Sequence, residues 1–170
     1  RQASLATAEM LTRDPANALV DRQSRYRLPA ELIRDNALAV SGLLVDEVGG
    51  SSAKPYQPAG YYQHLNFPPR KYSQDNSANQ WRRGLYVHWQ RMFLHPMMKA
   101  LDAPSREECP AERARSNTPN STLALPNDPT FLETARFFAH KLITKGGESF
   151  EQTIHYAFHP ALHRDPDAHE

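Results

Sequence analysis

Apolar residues recur at helical spacing in several stretches of the chain, and residues 29–44 show the pattern most clearly. A stripe with a period of 3.6 residues is typical of an amphipathic helix that buries one face. Pro29 suits the first turn of this helix, and Gly49 and Gly50 follow its end. The predicted buried stripe consists of Leu32, Ile33, Ala37, Val40, Leu43 and Leu44.

Residues 128–145 predict the clearest helix near the end of the sequence. Asp128 is a typical N-cap, Pro129 takes the first helical position, and Gly146 stands at the exit. The apolar residues at helical spacing define its predicted buried face: Phe131, Ala135, Phe138 and Leu142.

Residues 149–158 predict the last helix, because Ser149 and Gln152 have the spacing of a capping box. Pro160 is expected to kink or end it, since proline removes a backbone donor and clashes with the preceding turn. The predicted buried face consists of Phe150, Ile154, Ala157 and Phe158.

Three other segments also favour helix. Residues 4–13 predict a short helix that ends at Asp14-Pro15, and residues 119–125 predict another that stops at Pro126. Residues 82–94 are read as a helix that Pro96 ends, although Gly84 and Val87 keep a strand open as the alternative. The predicted core stripe of this segment is Leu85, Trp89, Met92 and Phe93.

Two long connections separate the predicted helices. Residues 46–80 are rich in Gly, Pro, Ser, Asn and Tyr, and residues 59–66 are an alternative helical turn within them. Their aromatic residues are expected to hold the connection against the surface: Tyr56, Tyr61, Tyr62, Phe67 and Tyr72. The second connection, residues 102–120, is the more polar one, with seven charged residues of nineteen. The pattern predicts an all-α, irregular multi-helix domain with long ordered loops.

The length of 170 residues suits one domain, here 1–170, with a real core. Both ends look cut, so we expect a fragment of a longer multidomain protein. A net charge of +1 gives no general attraction to nucleic acid. No apolar run is long enough for a membrane helix, so membrane insertion is not expected. One cysteine leaves the redox compartment open.

Histidines raise the question of a metal site. His88 and His95 are seven residues apart, which is about 10 Å along a straight helix and too far to share one ion. His155, His159 and His163 have the i, i+4 spacing of metal ligands, but Pro160 interrupts the second pair. We therefore predict no metal site and no cofactor within the chain.

Recognisable catalytic motifs are also absent from the sequence. It contains no C-x-x-C-H for a covalent haem, no H-E-x-x-H, no nucleophile elbow and no phosphate-binding glycine loop. Cys109 stands among Glu107, Glu108 and Glu112, whose charges oppose thiolate formation and argue against a nucleophile. Whether the protein is an enzyme stays open.

The polar connection carries the candidate site. One interpretation is an internal network of salt bridges and turn hydrogen bonds that satisfies the loop's own backbone. The other is an anion-binding surface, because arginine forks recognise carboxylate, sulfate or phosphate. The candidate residues are Asp102, Arg106, Arg113, Arg115, Asn117 and Thr118.

The same stretches carry a family resemblance. "RDPANALVDRQSRYRLPAELIRDNALAVSGLL", "KPYQPAGYYQHLNFP", "RRGLYVHWQRMFLHPMMKALDAPSREEC", "RARSNTP" and "NDPTFLETAR" occur in this order. Together they resemble the C-terminal part of the planctomycete family known as domain of unknown function 1553, over nearly the whole chain. The chain departs from the family pattern at Pro160 and His163, where leucine and glycine are expected.

The resemblance implies an exported, extracytoplasmic protein, periplasmic or secreted. Its upstream part would hold another uncharacterised domain and often a c-type cytochrome domain. The partners it implies are those upstream domains, with electron-transfer or glycan-processing partners beyond them. On this basis the first hypothesis is a non-catalytic domain that packs on upstream domains. The second is part of an extracytoplasmic enzyme or binding site for an anionic ligand, such as a sulfated or acidic glycan, that uses the 102–120 loop.

Overall fold

The computed structural model describes residues 6–24, 26–63, 71–90, 93–105, 107, 109–167 and 169–170. Within these residues the chain forms six α-helices, two single 3-10 turns and no strand longer than an isolated bridge. The predicted all-α class is therefore confirmed. The helices are α1 (Ala8–Arg13), α2 (Ala30–Ser41), α3 (Pro96–Ala100), α4 (Pro119–Asn127), α5 (Pro129–Lys145) and α6 (Phe150–Leu162).

The predicted starts of α5 and α6 are confirmed because their signals are local, whereas α1 begins at Ala8, later than the predicted residue 4. The side chain of Asp128 accepts a hydrogen bond from the Thr130 backbone N–H at 2.9 Å and caps α5. At the start of α6, Ser149 and Gln152 form both hydrogen bonds of a capping box. These caps satisfy backbone donors that the first turn of a helix leaves without partners.

Two of the predicted stops at proline are wrong, because α4 ends one residue after Pro126 and α6 ends two residues after Pro160, whereas α1 ends at Arg13, directly before Asp14-Pro15, as predicted. Pro126 lies inside α4, whose last turn is closed by the Asp128 N–H donating to the Ala124 carbonyl at 2.9 Å. Pro160 lies inside α6, which continues to Leu162. Each proline stands near a helix end, so the lost donor affects only the last turn. His163 then ends α6 in the left-handed conformation, at the position where the family pattern expects glycine.

α2 is the central helix and packs chiefly against α5, while α6 is attached through α5. The core is built from α2 and α5 together with α3 and the segment before α3. Its buried members are Ala30, Val87, Leu94, Met97, Met98, Leu101 and Phe131. The predicted apolar stripe of α2 is only partly right, because Leu32 is 44% exposed whereas Arg34 is fully buried.

The helix predicted for residues 82–94 is wrong. Gly84–Tyr86 form a single 3-10 turn, and the chain then runs extended. Val87 is buried and pairs with Ala53 in an isolated parallel bridge, which is closer to the strand alternative. Leu85, which a helix would have buried, is 59% exposed. Phe93 is half-buried, Trp89 packs on the core, and Met92 lies outside the described residues.

The long connection between α2 and α3 is ordered by aromatic contacts, as predicted for Tyr61, Tyr62 and Tyr72. Tyr62 is buried and meets the ring of Tyr72 edge-on at 5.6 Å and that of Phe93 at 6.0 Å. Tyr56 is 43% exposed, and Phe67 lies outside the described residues. Residues 59–63 form turns, and the rest of the alternative turn at 59–66 is likewise not described.

The two remaining face predictions are partly correct. In α5, Phe131 is buried, Phe138 and Leu142 are half-buried, and Ala135 is exposed. In α6, Ile154, Ala157 and Phe158 are half-buried, but Phe150 is 80% exposed. None of the described helices combines the length and apolarity that crossing a lipid bilayer would require.

Candidate functional site

Asp102 is the centre of the polar loop. It follows α3 in a left-handed backbone conformation, with φ of 59°. Its Oδ2 atom accepts hydrogen bonds from the Ser116 backbone N–H at 2.7 Å, the Ser116 hydroxyl at 2.8 Å and Arg27 Nη2 at 2.5 Å. This carboxylate therefore joins the two ends of the loop and ties them to the segment before α2.

The same contacts keep Asp102 ionised. The Ser116 backbone N–H is the largest influence and lowers the pKa of Asp102, and the Ser116 hydroxyl and Arg27 lower it further. Partial desolvation acts in the opposite direction and is outweighed. Asp102 is thus a fixed negative charge at neutral pH.

The loop's described arginines each contact another part of the chain. Arg113 Nη1 lies 3.3 Å from both carboxylate oxygens of Glu31 on α2. The guanidinium of Arg115 stacks over the ring of Tyr26, 4.8 Å from its centroid. Arg106, the third candidate, lies outside the described residues. Both described arginines already have partners, so this geometry favours the internal network, and binding an anion would compete with those partners.

The last two candidates lie where the loop enters α4. Thr118 caps α4, since its hydroxyl oxygen accepts the Ser121 backbone N–H at 3.2 Å. Asn117 is exposed. The structure thus brings Asp102 and Thr118 to the wall of one cavity, whereas Arg113 contacts the first turn of α2 and Arg115 contacts the segment before it.

A cavity of about 550 Å³ opens between α3 and α4. Asp102 and Thr118 line it, whereas Arg113 and Arg115 line a separate small cavity beside Arg27. The full lining is Tyr61, Pro96, Lys99, Ala100, Asp102, Thr118, Asn120 and Leu123. Lys99 and Asn120 were missed from the sequence, although Lys99 stands three residues before Asp102 at the end of one short helix.

An apolar groove of about 420 Å³ runs along the outer face of α2, and we call it the α2 groove. Its apolar residues are Leu28, Leu32, Ala39 and Leu44, and its polar residues are Asp35, Asn36, Asp46 and Arg83. Leu28 and Leu32 are each more than two-fifths exposed there. A strip of leucines bordered by polar groups on a surface is typical of an interaction site.

Of the histidines that raised the metal question, His88 and His95 have separate partners, whereas His155 and His159 share one. His88 Nδ1 lies 3.1 Å from the hydroxyl of Ser52, and His95 Nε2 lies 2.7 Å from the Tyr56 carbonyl oxygen. His155 and His159 each lie within 3.4 Å of the same oxygen of Asp165. Among the residues that the structure describes, no three His, Cys, Asp or Glu side chains are arranged to hold a metal ion. Cys109 is an exposed free thiol.

The family assignment follows from comparison with known proteins. The family model of PSD1, a protein of unknown function (DUF1553), matches residues 1–170. The chain therefore belongs to the DUF1553 family, as its motifs indicated. No curated protein and no solved structure matches the chain significantly.

Proposed function

We propose that the chain is a non-catalytic packing domain, which lies against other domains of the same longer polypeptide. The observation that carries this proposal is an excess of surface. A compact monomer of 19.3 kDa is expected to expose roughly 8,500 Å², whereas this chain exposes 12,100 Å². A domain that is completed by neighbouring domains would have such a surface.

Apolar side chains account for part of this exposure. In the described residues, sixteen large apolar or aromatic side chains are at least two-fifths exposed. Some of them lie in the α2 groove, and α6 has no fully buried residue despite its apolar face. Apolar surface of this extent is costly in water and is stabilised when another protein surface covers it.

The α2 groove is the contact surface we assign to the upstream domains. Its leucines supply the apolar centre, and Asp46 and Arg83 at its rim supply one charge of each sign. A matching surface would place apolar side chains against Leu28 and Leu32 and opposite charges at the rim. The family resemblance motivates the choice of an upstream domain of the same polypeptide as the occupant.

The wider context belongs to the same proposal. We infer an extracytoplasmic protein in which a c-type haem, if carried, is attached to an upstream domain. This chain contains a single cysteine and no C-x-x-C-H, so it offers no covalent attachment site of its own. Its contribution would be to hold the upstream domains in position for their electron-transfer or glycan-processing partners.

Hydrogen exchange tests the proposal directly. The amides of α2 and α6 are expected to exchange at least tenfold more slowly in the full-length polypeptide than in the isolated 170-residue chain. Leu32→Asp in the full-length protein is expected to remove this protection from α2. Val48→Asp is the matched control, because Val48 is 84% exposed and lies outside the groove. Equal exchange in the two forms of the protein would contradict the proposal.

A further inference from the structure

The cavity between α3 and α4 differs in character from the α2 groove. Its walls come from three separate segments: the turn at Tyr61, α3 with the residues that follow it, and the start of α4. Its volume of about 550 Å³ lies within the range of small-molecule sites, roughly 300–1,000 Å³. It combines apolar walls with a few strong hydrogen-bonding groups, which is the usual composition of such sites.

We propose that this cavity binds an uncharged, hydroxyl-rich ring, such as one unit of a neutral oligosaccharide. Asp102 would accept hydrogen bonds from ligand hydroxyls, and Lys99 and Asn120 would donate to them. This assignment goes beyond the packing role and does not depend on it, because the cavity does not share residues with the α2 groove.

Asp102 is a preorganised acceptor. All three of its hydrogen bonds within the described residues end on Oδ2, which leaves Oδ1 as the oxygen available to a ligand. Because the contacts to Oδ2 already hold the carboxylate in place, it loses little conformational freedom when a ligand binds. Hydrogen bonds to a charged acceptor are also stronger than hydrogen bonds between neutral groups. Paired hydroxyl groups of a sugar ring are suitable donors for it.

Lys99 and Asn120 supply the complementary groups. Both side chains are exposed, and within the described residues neither has a hydrogen-bond or ion-pair partner. The ammonium group offers up to three donors, and the amide offers both donors and an acceptor. Hydroxyl groups donate and accept at once, so a polyol can use both kinds of group together.

The charges of the wall favour an uncharged ligand. Among the lining residues that the structure describes, only Lys99 and Asp102 carry formal charges, and these charges cancel. An acidic or sulfated ligand would meet the fixed negative charge of Asp102, while Arg113 and Arg115 lie outside the cavity. The anionic ligand, which is the second interpretation of the loop sequence, is therefore less well matched here than a neutral one.

Apolar groups complete the fit. Pro96, Ala100 and Leu123 line the cavity beside the ring of Tyr61. The Tyr61 hydroxyl donates to the Leu94 carbonyl at 2.8 Å, which fixes the orientation of the ring. The C–H groups on one face of a sugar ring can pack on such a surface, while the hydroxyl groups at the edge of the ring reach the polar groups.

Saturation-transfer NMR on the full-length polypeptide tests the inference. The neutral probes are cellotriose, maltotriose, mannotriose and galactotriose; the contrasting probes are trigalacturonate and leucine. At least one neutral trisaccharide is expected to bind, with an affinity that falls about tenfold in Lys99→Ala and in Asn120→Ala. Both substitutions change exposed side chains, so the fold is expected to persist.

Matched variants separate this site from any other site in the polypeptide. Lys71→Ala and Asn76→Ala remove the same side-chain types at exposed positions outside the cavity and are expected to leave affinity within twofold. The inference is overturned if no neutral probe binds, or if only trigalacturonate or leucine binds. Binding that Lys99→Ala and Asn120→Ala leave unchanged would overturn it as well.

Discussion

The fully buried guanidinium of Arg34 donates a hydrogen bond from Nη1 to the backbone carbonyl of Arg82 at 2.5 Å. Its Nη2 donates to the carbonyl of Gln80, also at 2.5 Å. Arg82 is itself buried and donates onward to the carbonyls of Glu47, Gly49 and Ser51. Two arginines in series thus connect α2 to the turn before Arg82 and to the loop after α2.

Arg34→Lys is expected to destabilise the protein by about 3 kcal/mol. Burial lowers the pKa of Arg34 to about 10, so the side chain still carries its charge at neutral pH. A lysine has no planar fork, so it cannot reach both carbonyls and leaves a buried acceptor unsatisfied. Urea denaturation would measure the loss in free energy of unfolding.

Arg136→Lys is the control for this substitution, because Arg136 is exposed on α5 and the change is expected to stay within about 0.5 kcal/mol. If Arg34→Lys lowered the free energy of unfolding no more than Arg136→Lys does, the two hydrogen bonds to carbonyl groups would not support the fold.

These contacts show why part of the fold could not be predicted from the sequence. The caps of α5 and α6 depend on neighbouring residues, so Asp128 and Ser149 identified them correctly. The extended course after Gly84 depends instead on residues far away in the chain: Ala53 pairs with Val87. Likewise the predicted buried stripe of α2 does not include Arg34, because periodicity ranks residues by polarity and carries no information about two carbonyls far away in the sequence.

The candidate site likewise depends on contacts between residues that are distant in the sequence. Asp102 and Thr118 are both polar residues of the 102–120 loop, and the structure brings both to the wall of one cavity. One of the two residues that hold Asp102 is Arg27, 75 positions earlier, and no local pattern connects Arg27 with Asp102. Lys99 stands before the polar loop, among apolar residues, so no polar pattern in the sequence connects it with Asp102.

Gly84→Ala is expected to destabilise the protein by about 1–3 kcal/mol, because the backbones of two segments meet there. An added Cβ would lie 2.8 Å from Cα and 2.9 Å from the carbonyl oxygen of Glu31 on α2. The Gly84 N–H also donates to Asp35 Oδ1 at 2.5 Å, which holds the segment in place. Thermal unfolding would measure the change, with Leu85→Ala as the neighbouring exposed control. If Gly84→Ala left the unfolding temperature unchanged, the two segments would separate easily to make room for the added Cβ.

His95 is expected to make the protein less stable in mild acid. Its Nε2 must carry the proton, since the Tyr56 carbonyl only accepts, and Nδ1 is buried without a partner in the described part of the chain. Burial is the main cause that lowers the pKa of His95, and Arg34 adds to it, whereas the Tyr56 carbonyl and Asp128 act in the opposite direction. The folded protein therefore keeps this imidazole neutral.

The direction of this change in stability follows from the linkage between proton binding and folding. Above about pH 6.5 the imidazole is neutral in both states and contributes no pH dependence. Below it the unfolded chain binds a proton that the folded chain does not, so stability falls with decreasing pH, by at most about 1.4 kcal/mol per unit from this group. His95→Gln is expected to flatten the stability profile between pH 7.5 and 5.5, and His140→Gln, at an exposed position, is expected to leave it unchanged. Parallel profiles for the wild type and His95→Gln would contradict this assignment.

Asp102→Asn is expected to destabilise the protein by about 1–2 kcal/mol at pH 7, because it removes the charge that holds Arg27 and Ser116. Asparagine tolerates the left-handed backbone at this position, so the substitution isolates the charge from the turn. The pKa of Asp102 is lowered in the folded state, so its contribution is present above the unfolded value, about 3.9, and is lost as pH falls through the folded value. Urea denaturation at pH 7 would measure the change, with Asp46→Asn at the rim of the α2 groove as the exposed control. An Asp102→Asn variant as stable as the wild type would mean that Arg27 and Ser116 hold the loop without the carboxylate's charge.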